Sequence, residues 1–254
     1  MGMVQVNSIS GTVQTAITSD PDQRMVIAWI VGIVVFTLTA LIVIGGIQRI
    51  GKVASLLVPF MVLLFVIMAL IILCVNITAI PAAFALIFKN AFSFKAVGGG
   101  LFGYTIMMAM RYGFARGIFS NEAGLGSSVI AHSASDTKEP VKQGLWGIFE
   151  VFLDTFVVCT LTALTLLTTG AYDFVNFLSI TADKNEVARS AFAENFGTFG
   201  VVVFTTILPL FAFTTVLAWS YYGQKAAEYL FGSKKGGLAF KIVYVLLLIV
   251  GAVT

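Results

Sequence analysis

The sequence predicts an all-α integral membrane protein, a helical bundle in which one spanning helix is broken at mid-membrane. Three observations predict it. The chain is 59% hydrophobic and only 11% charged, with a mean hydropathy of +0.99, whereas soluble domains carry about 45–50% apolar and about 25% charged residues. Its apolar residues gather into runs as long as a bilayer is thick. One of those runs is too long for a single crossing and is studded with glycine and charge.

A hydrocarbon core about 30 Å thick needs roughly 20 apolar residues per helix. Runs at about 25–47, 54–78, 98–133, 144–170 and 196–222 qualify, and a sixth at about 238–254 is still apolar at its last residue. Residues 1–18 read as the tail of an earlier helix. The expectation is one transmembrane domain over 1–254, cut from the middle of a longer protein, and "MGMVQVNSIS" has neither the basic region nor the cleavage pattern of a signal peptide. Loop charges set sidedness. Arg49, Lys52, Lys138, Lys142, Lys225, Lys234, Lys235 and Lys241 fall on one side, against Asp136, Glu139 and Glu228. The other side holds Arg24, Lys89, Lys95, Lys184 and Arg189, diluted by Asp20, Asp22, Asp173, Asp183, Glu186 and Glu194. The first side is therefore expected to be cytoplasmic. Residues 80–94, "IPAAFALIFKNAFSF", are too short and interrupted to cross, and read as an amphipathic helix along the outer surface. The net charge of +3 is small and dispersed, so no nucleic-acid surface is expected. Cys74 and Cys159 sit inside apolar runs without metal-type spacing and read as packing residues.

The third run covers 36 residues with no polar loop to turn it back, and it contains Gly113, Gly117, Gly124 and Gly126 among Arg111, Arg116, Asn121 and Glu122. One crossing made of two half-helices, unwound at about 113–119, accounts for this. Each glycine weakens a helix by roughly 1 kcal/mol. Ser120 and Asn121 are good N-cap residues, so the second half-helix is expected to restart there with Glu122 in its positively polarised first turn. At 1.5 Å per residue each half would be about 20 Å long. Unwound backbone at that depth needs protein or a water-filled cavity to receive its polar groups, and such breaks can hold a carboxylate or a cation. The cluster therefore reads as a substrate site; a structural kink is the alternative.

Further polar residues lie within the spans. Glu150 and Asp154, four apart, should share a helix face. Asp154 is near mid-bilayer, where a carboxylate marks an ion path or a pair with Arg111, Arg116 or sodium; Glu150 reads rather as structural. Pro209 cannot donate to the Thr205 carbonyl, and Thr214 and Thr215 follow just over one turn later. Together these are hard oxygen ligands suited to an alkali cation, although threonines also bond their own helix backbone. The single histidine, His132, reads as a helix-end cap before a proton relay.

At this point the residues resemble a known family. "RYGFARGIFSNEAGLGSSVIAHSAS", "EPVKQGLWGIFEVFLDTFVVCTLTAL" and "LFAFTTVLAWSYYGQKAAEYLFG", with "GMVQVNSIS" and "GGIQRIGKVASLLVPFM", resemble the alanine or glycine:cation symporters over essentially the whole chain. The resemblance implies secondary transport of a small neutral amino acid with sodium as the coupling ion and no other cofactor. It also implies a leucine-transporter-type fold of two inverted repeats, of which the broken span would open the second. It would place Gly117, Phe119, Ser120, Asn121, Glu122, Gly124 and Gly126 against the amino acid, with the half-helix N-terminus at 120–124 meeting its carboxylate. Gln5 and Asn7 would join that pocket, Thr214 and Thr215 would bind sodium, and Asp154 would be a further cation ligand. The family's N-terminal broken helix is not in this sequence, so each assignment is half a site.

Two other function classes compete. A channel also uses unwound backbone and acidic groups, but builds its filter from symmetric copies. A membrane enzyme would need chemistry for which one histidine, no HExxH and no G-x-S-x-G offer little support. The expected mechanism is alternating access, with the bilayer as the only environment implied and the oligomeric state undetermined. Close packing about Gly124 and Gly126 is expected to favour a small substrate side chain, and Arg111 and Arg116 would gate the outer vestibule.

Overall fold

The computed structural model describes residues 1–18, 20–91, 99–122, 124–170 and 184–254. All regular structure among them is helical: α1 (Gly2–Ile17), α2 (Pro21–Ile44), α3 (Gly46–Val75), a 3₁₀ turn (Ile77–Ala79), α4 (Ile80–Ala91), α5 (Gly99–Asn121), α6 (Ser127–His132), α7 (Pro140–Phe152), a π segment (Leu153–Val158), α8 (Cys159–Thr168), α9 (Lys184–Phe231) and α10 (Lys234–Val253). Among the described residues, five helical stretches are long and apolar enough to cross a membrane: Asp22–Ile44, Gly46–Val75, Pro140–Thr168, Ala188–Phe231 and Lys234–Val253. The chain forms two compact units, Met1–Met68 with Ala171–Thr254, and Ala69–Gly170.

In the first unit α1, α2, α9 and α10 each touch the other three. Val6 and Ile9 of α1, Val35 of α2, Ala212 and Val216 of α9, and Leu248 of α10 form its core. In lipid such packing depends on close van der Waals approach, and small residues allow it. A side chain added at Gly251 would come within 2.7 Å of the Met3 backbone, and one at Gly32 within 2.9 Å of the Ala252 methyl. At Gly2 it would overlap the Tyr244 ring. Tyr244 in turn donates to the Val216 carbonyl at 2.9 Å, fastening α10 to α9.

The ends of α2 follow helix-terminus chemistry. Asp20 caps it by accepting from the Asp22 amide at 3.1 Å, with Pro21 in the first turn. At the other end Gly46 adopts φ +70°, which starts α3 immediately. Arg49 donates to the Leu41 carbonyl at 2.8 Å and Lys241 to the Val43 carbonyl at 3.2 Å, so two cations meet the negative end of the helix. The second span therefore begins eight residues before the expected residue 54, with Arg49 and Lys52 inside its first turns. Close to the expected start of the fifth span at residue 196 the chain also bends. α9 is two helices merged across Gly197, whose φ of 58° and ψ of −140° only glycine adopts readily.

In the second unit Leu73 of α3, Ala83 of α4 and Leu164 of α8 share a core. α4 begins at Ile80 as the sequence suggests, and its 12 residues make about 18 Å, too short to cross. Residues 92–98 of the expected surface helix and third span lie outside the described residues.

The largest departure concerns the broken span. α5 runs unbroken for 23 residues through Gly113 and Gly117, about 35 Å and enough by itself to cross. The break follows it, at 122–126, instead of dividing the crossing at 113–119, and the helix after it has only 6 residues. Two single glycines a turn apart cost the helix about 1 kcal/mol each and leave its hydrogen bonds intact. What ends it is left-handed backbone at Glu122 (φ 53°), Gly124 and Gly126 (both φ 75°).

Gly251→Leu in the full-length protein should lower the midpoint of thermal unfolding in detergent, because overpacking of this kind costs about 1–3 kcal/mol. Gly51→Ala, where nothing lies within 4 Å of the added carbon, should leave it unchanged or raise it. Equal effects would show that the α1–α10 contact does not limit stability.

Candidate functional site

The second unit gathers Ser120, Asn121, Glu122, Gly124, Gly126 and Asp154. Ser120 and Asn121 close α5 and do not cap a new helix. The Ser120 hydroxyl points across to α7's continuation and donates to Asp154 Oδ2 at 2.5 Å. Glu122 is not in a first helical turn either. Its left-handed backbone turns the side chain forward, and Oε2 accepts from the Ser127 hydroxyl at 2.7 Å. The Leu125 amide donates to the Glu122 carbonyl at 3.1 Å, so the break closes on itself as a tight turn. Gly126 occupies the N-cap position of α6, in place of the expected serine or asparagine.

Asp154 lies in the π segment, where the Cys159 amide bonds to the Asp154 carbonyl five residues back. Single π turns inside α-helices recur at functional sites. Glu150 and Asp154 take different partners in spite of their spacing. Asp154 meets Ser120, whereas Glu150 Oε2 is 3.6 Å from His132 Nε2. Of the two arginines expected as partners of Asp154, Arg111 is exposed on α5, and the Arg116 side chain lies outside the described residues. Cys74 and Cys159 are free thiols on exposed helix surface.

An open cavity of about 990 Å³ lies in this unit between the break, α6 and α7. Asn121, Glu122, Gly124, Gly126, His132 and Gln143 are among the residues that line it. Nothing lies within 4 Å of a carbon added at Gly113, Gly117, Gly124 or Gly126. The expected close packing around Gly124 and Gly126 is thus absent within the unit, and these glycines serve backbone conformation instead of excluding bulk.

The first unit holds the other candidates. Asn7 is exposed and Gln5 half-buried on α1, whose buried face is Val6, Ile9 and Ser10. Thr214 and Thr215 both donate to the Phe211 carbonyl, at 2.9 and 3.1 Å, so their protons stay within the helix while their lone pairs remain able to accept or ligate. The Thr205 carbonyl, which Pro209 deprives of its amide, has a companion that sequence reasoning missed. Among the described residues the buried Thr205 Oγ1 has no hydrogen-bond partner. The Gln143 contacts were also missed, because His132 and Gln143 are eleven residues apart on two elements and no periodicity links them.

The family model described as the sodium:alanine symporter family matches residues 1–254. The chain belongs to that family. It is 41% identical to an uncharacterized transporter of Haemophilus influenzae over 98% of this chain and 52% of that one. It is 40% identical to the sodium/alanine symporter AgcS of Methanococcus maripaludis, again over 98% of this chain and 52% of that protein. A sodium/proton-dependent alanine carrier protein of Bacillus sp. strain PS3 is 36% identical over 83% of this chain and 48% of its own length. The chain thus spans about half the length of the curated relatives it matches. Family and relatives are transporters, not enzymes, and with five helices able to span, this symporter-family chain is a multi-pass membrane protein.

The position of the break can be tested directly. Gly124→Ala and Gly126→Ala should each destabilise the full-length protein by about 1–2 kcal/mol, since alanine disfavours positive φ. Gly113→Ala and Gly117→Ala should be neutral or stabilising by up to about 1 kcal/mol. Thermal unfolding of the four variants in detergent measures this, and the reverse ranking would return the break to 113–119.

Proposed function

We propose that this chain forms part of a sodium-coupled symporter for a small neutral amino acid, alanine or glycine, working by alternating access in the plasma membrane. The observation that carries the reading is the left-handed turn at 122–126, which opens on the cavity with Asn121 and Glu122 at its edge. It lies in the stretch through which the family resemblance is strongest. Backbone released from a helix presents amide and carbonyl groups that fit both ends of an amino-acid zwitterion. The Gly117, Phe119, Ser120, Asn121, Glu122, Gly124 and Gly126 segment is proposed to hold it. Asp154, oriented by Ser120, is proposed as a cation ligand. Gln5 and Asn7 for the substrate, and Thr214 and Thr215 for sodium, stand on the family resemblance alone, as does the leucine-transporter-type inverted-repeat fold. AgcS, named as a sodium/alanine symporter, supports sodium and alanine. The relative named as sodium/proton-dependent gives proton coupling a specific basis as the second reading. Sodium is the only ion the proposal needs, with no other cofactor.

The test is amino-acid uptake into proteoliposomes holding the full-length protein, with and without an inward sodium gradient. Saturable alanine or glycine uptake that collapses without sodium is expected. Asn121→Ala and Glu122→Ala should each lower it at least tenfold while the protein still inserts. Normal uptake by both variants would overturn the site. Sodium flux indifferent to amino acid would indicate a channel, and uptake driven by a proton gradient alone would move coupling to the carboxylates.

A further inference from the structure

Basic residues collect at one end of the first unit, and the transport reading leaves them without a task. Arg49 and Lys52 stand where α2 turns into α3, Lys225 in the last turns of α9, and Lys234, Lys235 and Lys241 on α10. Over residues 41–68 and 216–254 the sequence holds one carboxylate, Glu228. It is already engaged: Lys225 donates to it at 2.9 Å and Gln224 at 2.6 Å. Among the described residues Arg49, Lys52, Lys234, Lys235 and Lys241 form no ion pair.

The two corners make one surface. Lys241 reaches from α10 to the Val43 carbonyl at 3.2 Å, and Arg49 folds back to the Leu41 carbonyl at 2.8 Å. The negative end of α2 draws both cations to it. Each bond engages one N–H, of the three on an ammonium and the five on a guanidinium. α10 begins about 10 Å before Lys241. There Gly232 (φ 60°) turns the chain, and Ser233 caps the helix by accepting from the Gly236 amide at 3.4 Å. Lys234 and Lys235 are exposed in that first turn, where the positive end of the helix adds to their charge. Apolar side chains flank the cations. α2 packs along α10, and Leu41 and Ile44 of the one and Leu238 and Ile242 of the other are exposed.

We propose that this corner is a binding site for an anionic phospholipid. Its headgroup is held among Arg49, Lys241 and the lysines that open α10, and its acyl chains lie along α2 and α10. α2, α3, α9 and α10 all contain stretches able to span a membrane. Their ends therefore stand at headgroup depth, where anionic lipid is the abundant counter-charge on the side that the basic residues assign to the cytoplasm. A zwitterionic lipid fits less well, because its ammonium group would join five cations that have no carboxylate. A free phosphate would match those cations but leave the apolar flank uncovered. The site lies apart from the cavity of the second unit, and it stands whether or not the protein carries alanine.

The experiment reconstitutes the full-length protein in bilayers of equal phosphatidylglycerol and phosphatidylcholine with matched chains, extracts it gently, and counts retained lipids by native mass spectrometry. Phosphatidylglycerol should be enriched about fivefold or more over phosphatidylcholine. Lys234→Gln with Lys235→Gln should lower the enrichment, by up to about fivefold for each cation removed. Neither of these side chains bonds another described residue, so the fold should be undisturbed. Lys241→Gln should lower it as well. Lys138→Gln with Lys142→Gln removes the same charge from the second unit and should leave the enrichment as it is. Equal retention of the two lipids by the wild-type protein, or enrichment that survives both first-unit changes, would overturn the site. So would an equal loss in the second-unit variant, which would reduce the effect to diffuse attraction. Displacement of phosphatidylglycerol by inorganic phosphate would also overturn it, by showing a site for the free anion.

Discussion

Backbone amides and carbonyls released where a helix ends must find partners at once, and this requirement organises the second unit. α5 ends after a length of about 35 Å, and the next five residues include three in left-handed conformation. Such a turn survives only if its polar groups are engaged locally. Leu125 N–H returns to the Glu122 carbonyl, the Glu122 carboxylate takes the Ser127 hydroxyl, and Ser120 ties the last turn of α5 to Asp154. The cavity exists because the chain turns here without filling the space it leaves against α7. The cavity and the left-handed turn therefore have one origin.

The π segment is the matching adjustment on the other helix. A regular α-helix would bring Glu150 and Asp154 to one face. The widened turn begins at Leu153, one residue before Asp154, and the two carboxylates meet different partners, His132 for Glu150 and Ser120 for Asp154. One helix thus carries two carboxylates in different surroundings: Asp154 held by the Ser120 hydroxyl beside the break, and Glu150 beside the His132 ring.

Much of this is legible in residues. The apolar runs predict the membrane class and most of the spanning helices, because hydrophobic thickness is a one-dimensional quantity that a sequence records directly. The polar cluster from Arg111 to Ser128 locates a helix interruption for the same reason. Sequence places it too early because all four glycines look alike there. Gly113 and Gly117 keep helical dihedrals, whereas Gly124 and Gly126 leave them, and only neighbouring structure decides which. Ser120 and Asn121 have the composition of a cap, yet Ser120 finds a better partner in Asp154, thirty-four residues away. The Gln143 contacts are invisible in sequence because they run to a loop and to a histidine on another helix. The helix starts at Gly46 and beyond Gly197 depend on single positive-φ residues, which hydropathy does not register.

Glycine does two opposite jobs in this chain, and the contrast separates scaffold from site. In the first unit Gly2, Gly32 and Gly251 have ordinary helical dihedrals but no room, since an added carbon would strike Tyr244, Ala252 or Met3. They let helix backbones approach, and close approach maximises the dispersion contacts that hold helices together in lipid. In the second unit nothing described lies within 4 Å of a carbon added at Gly124 or Gly126, but their dihedrals are ones that other residues disfavour. They contribute no packing and lower the cost of bending the chain. Glycines of the first kind resist relative motion of their helices, because any shift loses many contacts together. Those of the second kind leave a turn whose conformation is set by a few hydrogen bonds beside a cavity. A transporter needs both properties in separate places, and the sequence supplies them with one residue type placed in two different environments.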